Sequence, residues 1–387
     1  MASIVKRTTE AGDARYDVRY RDPAGKQRKQ TFRRRKDADA FLATTEADKV
    51  RGTWLDPEHG RITFAAWWEK WWPTTVNLRP SSRARDESYA RNHLAPKFDP
   101  YPIDAIDHTL VTEWVAELTA SGLKPATVQK AQQVLSKCLG AAVDAGRLRS
   151  NPCERVKLPR IERHEMLFLT PAQVATLADC MDERYRAFVF VGAYCGLRFG
   201  ELAALKTHRV DLLHRRIEVA ETLTEVKGRH HTGPPKTRAG HRSVPVPKFV
   251  ADDLERHLGT VTSEYVFAAP EAGPLRSSLF RRRFWHPACV EAGVGRWVAD
   301  DTDKRYRKYE GLRIHDLRHT AVALWIATGA SPKEVAGRAG HSSVVTVLDR
   351  YGHLLPGHED EVNDRLDAMA RGAMPARSGV VCAMDVP

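Results

Sequence analysis

Two residues with reactive side chains stand ten positions apart in the segment AGHSSVVTVLDRYGHL: His341 and Tyr351. A phenol is a weak nucleophile at neutral pH, because its unperturbed pKa is about 10. If Tyr351 does chemistry, groups from elsewhere in the chain have to support it. By itself, a tyrosine at this place is more simply explained as a ring that closes a short helix.

Three further segments contain groups that could give this support. GLRFGEL contains Arg198 and Glu201, PPKTRAGHRSVPV contains Lys236, and IHDLRHT contains His315 and Arg318. Each segment is weak alone. An arginine after a helix-ending glycine is usually a surface or salt-bridge residue, a lysine in a hairpin loop is usually solvated, and HDLRH can be ordinary helix surface.

Together, these residue types match what cleavage of a phosphodiester without metal or water requires. Tyr351 can supply the nucleophile. Arg198 and Arg318 can present planar forks of N–H donors to the non-bridging oxygens, which lysine would do less well. His315 and His341 can donate or shuttle protons near neutral pH.

Composition and charge favour a polyanionic partner for this chain. Its 387 residues are enough for roughly two to three domains. An excess of 61 Lys and Arg over 49 Asp and Glu gives a net charge of +12. Nucleic acid is the first partner to expect and an anionic membrane surface the second.

The sequence predicts a soluble, cytoplasmic protein. The N-terminus MASIVKRTTE has no apolar core of a signal peptide, and the longest apolar run, Ala187–Leu197, is far short of the roughly 20 residues that span a bilayer. The cysteines are scattered without a CxxC pair, which favours reduced thiols over disulfides or a zinc site. They are Cys138, Cys153, Cys180, Cys195, Cys289 and Cys382.

The N-terminal segment predicts a small basic sheet followed by a helix. RYDVRYR, residues 15–21, alternates as a half-buried strand does, the turn DPAG follows, and KQRKQTF is a plausible partner strand. Residues 6–36 contain twelve Lys and Arg against four Asp and Glu, a net of +8. We favour a DNA-binding sheet face over a merely solvated surface. The candidate contacts are Arg15, Arg19, Arg21, Lys26, Arg28, Arg33 and Arg34.

From residue 62 to about residue 149 the pattern is helical. The aromatic residues of FAAWWEKWW recur at helical spacing, which is more typical of core packing than of base stacking. Further helices are predicted at 109–118 and 125–145. Arg83 and Arg85 lie in a basic segment that suits phosphate contact and a solvated helix equally well. The segment 151–165, with two prolines, is predicted to be a linker.

The last part of the chain predicts a mixed α/β domain. Thr170 and Ser331 each open a capping box, and an apolar helix stops at Gly196. One strand is predicted at 217–226 and a second in RSVPVP, after a hairpin loop. Helices are expected around 186–195, 277–292, 314–328, 331–339 and 344–350.

In this order, on helix, hairpin, helix and helix end, the four segments resemble the tyrosine recombinase (phage integrase) family, over the whole chain. The architecture is similar to that of lambda-type integrases with an extra arm-site-binding module. Ala339 departs from the leucine that is usual before Gly-His, at a packing position. Glu201 fits the family's acidic position and would orient Arg198. The positions that match the catalytic set are Arg198, Lys236, His315, Arg318, His341 and Tyr351.

The resemblance implies a mainly α, multi-domain protein that is α+β overall. It has a small β-sheet-plus-helix arm-site module at 1–55 and an all-α core-site DNA-binding domain at 62–155. A mixed α/β catalytic domain follows at 165–372, with a flexible tail at 373–387. The implied enzyme is a site-specific recombinase that forms a 3′-phosphotyrosyl link and integrates and excises a phage or other mobile element. Lys236 would be the general acid on a mobile hairpin, and no metal, ATP or other cofactor is implied.

The implied partners are double-stranded DNA attachment sites and three further copies of the chain, as a homotetramer on two duplexes. The charged helix around Glu359–Met369 would dock on a neighbouring protomer or on its own domain. The resemblance also allows a host DNA-bending factor and an excision factor as further partners. A membrane is not among the implied partners. The implied location is the bacterial cytoplasm, on DNA.

Three other functions stay open at this point. The spacing of His315 and His319 is that of the HExxH zinc motif, but Asp316 stands where a metalloprotease has glutamate. A non-catalytic DNA-binding regulator would have no reason to keep the full catalytic set. A type IB topoisomerase-like enzyme would use the same tyrosine chemistry to relax supercoils.

Overall fold

The structure, a computed structural model, describes residues 2–10, 12–22, 25–52, 54, 56, 58–162, 166–299, 307–355 and 359–373. The chain divides into two compact units, residues 1–163 and 164–387. Among the described residues, no helix is long and apolar enough to cross a membrane. The predicted tail at 373–387 lies outside the described residues except for its first residue.

The first unit begins with an antiparallel sheet in the order β1-β2-β3, followed by a helix. Val18, Tyr20 and Ala38 form its small core, because β2 turns alternate side chains toward the helix. The sequence missed β1, whose side chains are mostly exposed and charged. The elements are β1 (Ser3–Thr8), β2 (Ala14–Arg21), β3 (Gln27–Phe32) and α1 (Arg35–Arg51).

The rest of the first unit is helical. Phe64, Trp67 and Trp114 lie in its core, and the indole of Trp67 donates a 2.9 Å hydrogen bond to the carbonyl of Cys138. The prediction that the aromatic stripe serves packing is therefore confirmed. The helices are α2 (Phe64–Trp71), α3 (Pro80–Tyr89), α4 (Ala95–Phe98), α5 (His108–Ala120) and α6 (Pro125–Asp144), with a π-helical turn at Ala90–Leu94 between α3 and α4.

In its described residues, the second unit combines helices with three small antiparallel sheets, β4-β5-β8, β6-β7 and β9-β10. Its strands are β4 (Val210–Asp211), β5 (Arg216–Val219), β6 (Thr222–Val226), β7 (Arg229–Gly233), β8 (Arg242–Pro245), β9 (Gly295–Ala299) and β10 (Arg307–Gly311). Its helices are α7 (Pro171–Asp179), α8 (Glu183–Phe190), α9 (Phe199–Ala203), α10 (Lys248–Leu258), α11 (Ser277–Phe280), α12 (His286–Glu291), α13 (Ile314–Ala327), α14 (Pro332–Ala339), α15 (Val345–Tyr351) and α16 (Glu359–Ala373).

Two details of these sheets differ from the sequence prediction. The single strand expected at 217–226 is two strands, since β5 pairs with β8 and β6 pairs with β7. Buried Ile217, Val219 and Leu223 keep one alternation across the break, so the pattern does not reveal it. The β9-β10 hairpin lies in a stretch expected to be mainly helical. Both predicted capping boxes, at Thr170 and Ser331, are confirmed.

Two glycines let α13 approach the end of the helical stretch that begins with α8. A Cβ at Gly192 would lie 2.6 Å from Cδ1 of Leu317. Gly196 ends the stretch with a φ of +67°, and a Cβ there would lie 2.7 Å from the Trp325 ring. Because only glycine adopts this left-handed conformation at little cost, Gly196 fixes the path of the chain into α9.

Candidate active site

The predicted catalytic residues lie where the second unit's elements begin or end. Arg198 precedes α9, two residues after Gly196. His315 and Arg318 lie in the first turns of α13, His341 follows the left-handed Gly340 that ends α14, and Tyr351 is the last residue of α15. The site is therefore formed by the ends of several helices. Backbone carbonyls at these ends can accept hydrogen bonds from cationic side chains.

Arg318 is the buried cation of the site. Its side chain is 2% exposed, and it donates hydrogen bonds to the carbonyls of Gly196, at 2.7 Å, and of Ala339. The arginine thus joins the turn before Arg198 to the turn before His341. Burial, and then the charge of Arg198, lowers the pKa of Arg318 to about 9, so the guanidinium stays charged at neutral pH.

Glu201 holds Arg198 from one side and Arg242 from the other. Its carboxylate, 3% exposed, accepts 2.8 Å and 2.9 Å hydrogen bonds from Nη1 and the backbone N–H of Arg198. Arg242 adds two more, at 2.9 Å and 3.1 Å. Burial alone would raise the pKa of Glu201, but the bonds and charges of Arg242 and Arg198 outweigh it and lower that pKa. The expected contact of Glu201 with Arg198 is present.

Arg242 is a residue of this site that the sequence analysis missed. It is 9% exposed, and besides Glu201 it donates to the carbonyls of Gly240, at 3.0 Å, and Arg338, at 2.7 Å. A signal was available, because Arg242 shares its face of β8 with buried Val244. A charged residue at an inward position of a strand needs a partner when buried.

The two predicted histidines are held neutral. Burial, and then the charges of Arg318, Arg198 and Arg350, lower the pKa of His315 to about 4, although the residue as a whole is exposed to solvent. The same causes lower the pKa of His341 to about 4. Nδ1 of His341 is buried and has no hydrogen-bond partner in the described part of the chain.

The phenol of Tyr351 is buried and bonded to a second residue that the sequence analysis missed. Its oxygen lies 2.6 Å from Nδ1 of His319, and Tyr351 is 1% exposed. Burial raises the pKa of Tyr351, while Arg318 and Arg350 act in the opposite direction. The position of His319, one helical turn after His315, was noted only as part of a zinc-like spacing.

The remaining members of the predicted sets are placed differently. Lys236 is exposed in the segment after β7 and takes no part in the contacts described above. Asp316, which the zinc hypothesis would need as a catalytic carboxylate, accepts the backbone N–H of Arg313 at 2.7 Å and so caps α13. In the described residues, no group of three or more histidine, cysteine or acidic side chains is arranged to hold a metal ion.

Five of the candidate DNA-contacting arginines make contacts within the first unit, and one of them, Arg21, donates to the carbonyl of Gly25 at 3.2 Å. Arg28 pairs with Asp22 and Asp56, and Arg15 with an aspartate two residues away. Arg83 stacks on a tryptophan ring at 4.6 Å, and Arg85 pairs with a buried aspartate. Exposed side chains are found at Arg19, Arg21, Lys26, Arg33 and Arg34.

The chain matches two known families of domains. Residues 167–358 match the phage integrase family, and residues 63–119 match the SAM-like N-terminal domain of phage integrases. The ICEBs1 integrase of Bacillus subtilis is 28% identical over 307 residues, which is 76% of this chain and 79% of that protein. A putative prophage phiRv2 integrase of Mycobacterium tuberculosis is 26% identical over 379 residues, 94% of this chain and 95% of that protein.

Solved structures show the same fold. The Tn1549 transposon integrase, in complex with a circular intermediate DNA, superposes with a TM-score of 0.65 at 18% identity, covering 80% of this chain and 99% of that one. A lambda integrase tetramer bound to a Holliday junction gives a TM-score of 0.54 at 16% identity, covering 87% and 92%. These findings define a DNA-binding enzyme of site-specific recombination. The chain belongs to the phage integrase family of tyrosine recombinases.

Proposed function

We propose that the protein is an integrase that cuts and rejoins DNA strands through a 3′-phosphotyrosyl intermediate at Tyr351. In this role it integrates, and also excises, a phage or other mobile element. The observation that carries the proposal is the convergence of charge on one buried phenol. The positive charges of Arg318 and Arg350 favour the ionised form of the Tyr351 phenol, against the effect of burial on its pKa. The same two charges, together with that of Arg198, lower the pKa of His315 and of His341.

Each group has a distinct place in the proposed reaction. Tyr351 attacks the scissile phosphorus. Arg318, fixed by two carbonyls, supplies buried positive charge, whereas the side chain of Arg198 is 39% exposed and can reach the non-bridging oxygens. The imidazole of His341, on which the charges of Arg318 and Arg198 act, can donate a hydrogen bond to a phosphate oxygen. Preorganised donors of this kind are worth about 3–4 kcal/mol each in the transition state.

The leaving 5′-oxygen needs a proton, and we assign it to Lys236. The exposed segment that carries Lys236 lies next to the turn that Arg242 holds through the carbonyl of Gly240. Because the phosphotyrosyl bond keeps the energy of the broken phosphodiester, a 5′-hydroxyl of another strand can attack it and reseal the DNA. The reaction therefore uses no ATP, metal or other cofactor.

DNA recognition is divided among three parts in this proposal. The basic module at 1–55 binds arm sites, the helical domain at 62–155 binds core sites, and residues 165–372 carry the chemistry. Support comes from the separate hydrophobic clusters of the small sheet and of the helical part, and from the exposed basic side chains of the sheet's loops. Side chains that are free to move in solvent can exchange counterions for phosphates.

The proposed assembly is a homotetramer on two attachment-site duplexes in the bacterial cytoplasm. A host DNA-bending factor and an excision factor would act with it. Helix α16 supports an intermolecular role, because its described side chains, including Leu366 and Met369, are exposed. Docking of this helix on a neighbouring protomer would cover these apolar groups.

A suicide DNA substrate built from the sequence that flanks the gene tests the proposal. We expect wild-type protein to form a covalent protein–DNA adduct in the presence of EDTA, and Tyr351→Phe to form none. An adduct that persists in Tyr351→Phe would overturn the nucleophile. Relaxation of any supercoiled plasmid, regardless of sequence, would favour the topoisomerase function, and tight binding without any adduct would favour a regulator.

A further inference from the structure

The phenolic proton of Tyr351 needs an acceptor, and the structure has a histidine hydrogen-bonded to the phenol oxygen. The hydrogen bond of the Tyr351 oxygen joins it to Nδ1 of His319 at 2.6 Å, in a site where His319 is also buried. Within the described residues, no hydrogen bond joins this oxygen to His315, His341 or either arginine of the site. His319 therefore touches the reacting atom directly.

We propose that His319 accepts the proton of Tyr351 as the phosphotyrosyl bond forms, and returns it when the strand is resealed. The proposal rests on the proposed function, in which Tyr351 is the nucleophile. It assigns to this chain a further catalytic residue, distinct from His315 and His341.

The surroundings of His319 keep its ring in the form that can accept a proton. The titratable or charged groups that face it are His315 and Arg318 on its own helix, and Arg350 and Tyr351 on α15. Burial first, and then His315 and the two arginines, lower the pKa of His319 to about 4. A neutral imidazole with its proton on Nε2 leaves Nδ1 as an acceptor for the phenol O–H.

The geometry fixes both partners before DNA arrives. Tyr351 packs with Val347 and Val322 in one buried cluster, which restricts the movement of its ring. His319 lies one helical turn after His315, and the two imidazole rings are perpendicular with centroids 4.9 Å apart. A preformed hydrogen bond of this kind is the arrangement expected between a nucleophile and its base.

The proton and electron pairs balance in this step. The O–H pair of Tyr351 forms the bond to phosphorus, and the proton moves to Nδ1 of His319. The P–O5′ pair leaves with the 5′-oxygen, which takes a proton from Lys236. The phosphate brings negative charge next to Arg318 and Arg350, which offsets the charges that disfavour an imidazolium in the free protein. Resealing runs the same transfers in reverse.

The test is the pH dependence of single-turnover cleavage of the suicide substrate by full-length wild type and His319→Asn. An asparagine amide oxygen can lie near the position of Nδ1 and accept the hydrogen bond, but it cannot take the proton. We expect His319→Asn to cleave about 10²–10³-fold more slowly at pH 7. The deficit should shrink about tenfold per pH unit above pH 8, because hydroxide then ionises the phenol without a base.

Controls separate this proposal from the fold and from the proposed function. His257→Asn makes the same change at a partly buried histidine whose Nε2 lies 2.7 Å from the carbonyl of Val266, and it should cleave like wild type. DNA binding and thermal unfolding of each variant establish that it is folded. His319→Gln, whose amide reaches the position of Nε2, should show the same pH-dependent loss of cleavage rate. It replaces His319→Asn in the assay if the asparagine variant does not fold.

Each outcome decides the matter. A deficit that does not change with pH would show that His319 only positions the phenol, and wild-type activity in both variants would remove it from the reaction; either overturns the proposal. Rescue of His319→Asn by a fluorinated, more acidic tyrosine at position 351 would support it. Absence of any adduct with wild type would instead refute the proposed function.

Discussion

Removing the carboxylate of Glu201 should destabilise the second unit strongly, because it leaves Arg242 as an unpaired buried charge. Arg242 and Glu201 are 9% and 3% exposed and share two hydrogen bonds. Breaking a buried pair by removing one partner costs about 3–5 kcal/mol. For a unit of this size, one kcal/mol corresponds to about 2–4 °C in Tm. Glu201→Met should therefore lower Tm by roughly 6–20 °C.

Thermal unfolding of the full chain, followed by calorimetry, measures this shift. Glu218→Met is the matched control, since Glu218 pairs with Arg209 while both side chains are about 40% exposed, and such a pair is worth about 0–1 kcal/mol. The double variant Glu201→Met, Arg242→Met should recover most of the lost stability, because apolar residues of similar volume often replace a buried pair without cost. A Tm within 2 °C of wild type for Glu201→Met, or a double variant less stable than that single one, would refute the reasoning.

The same pair predicts a pH dependence. The pKa of Glu201 is lowered in the folded protein, so its contribution is fully present above the pKa of the unfolded chain, which is about 4.3. The contribution is lost as pH falls through the lower folded pKa. The Tm difference between wild type and Glu201→Met should thus be constant from pH 7 to about pH 5 and shrink below about pH 4.

Three further variants have expected outcomes. Gly196→Ala should lower stability by about 1–3 kcal/mol, measured by chemical denaturation, because φ is +67° and the new Cβ would lie 2.7 Å from Trp325; unchanged stability would contradict this. Arg318→Lys should slow suicide-substrate cleavage by about 10²–10³-fold at unchanged DNA affinity, since one ammonium cannot hold both carbonyls and face the phosphate; normal cleavage would exclude the role. Arg19→Ala should reduce the salt dependence of arm-DNA binding by about one unit of slope, whereas Arg28→Ala, already paired with two aspartates, should change it less; the reverse order would refute the assignment.

The fold was predictable where local signals act alone. Helix α6 begins at Pro125 and ends just before Gly146, because a proline without an N–H suits the first turn and a glycine suits the left-handed end. The break between β5 and β6 was not predictable, since it depends on which distant strand each half pairs with. The alternation of Ile217, Val219 and Leu223 is the same for one strand or two.

Motif order predicts a set of positions for the site, but it does not predict the contacts between them. Motif order indicated Arg198, Arg318 and Tyr351, whose residue types alone fit the chemistry. Arg242 and His319 were missed for a tertiary reason. The contacts of Arg242 depend on the approach of α9 and α14 to β8, and the hydrogen bond of His319 depends on a tyrosine 32 residues further along the chain. Local patterns of hydropathy do not contain these distances.

The site holds more positive charge than its own carboxylate balances. Glu201 faces both Arg198 and Arg242, while the hydrogen bonds that Arg318 makes in the described part of the chain go to backbone carbonyls. The lowered pKa of Arg318 and of His341 has one cause in common after burial, which is the repulsion among these cations. In the proposed reaction, an arriving phosphodiester would relieve this repulsion, and a pentacoordinate transition state, with more negative charge, would relieve it further. Since the carbonyls fix the guanidinium of Arg318 beforehand, little reorganisation is needed at the moment of reaction, which is the condition for electrostatic catalysis.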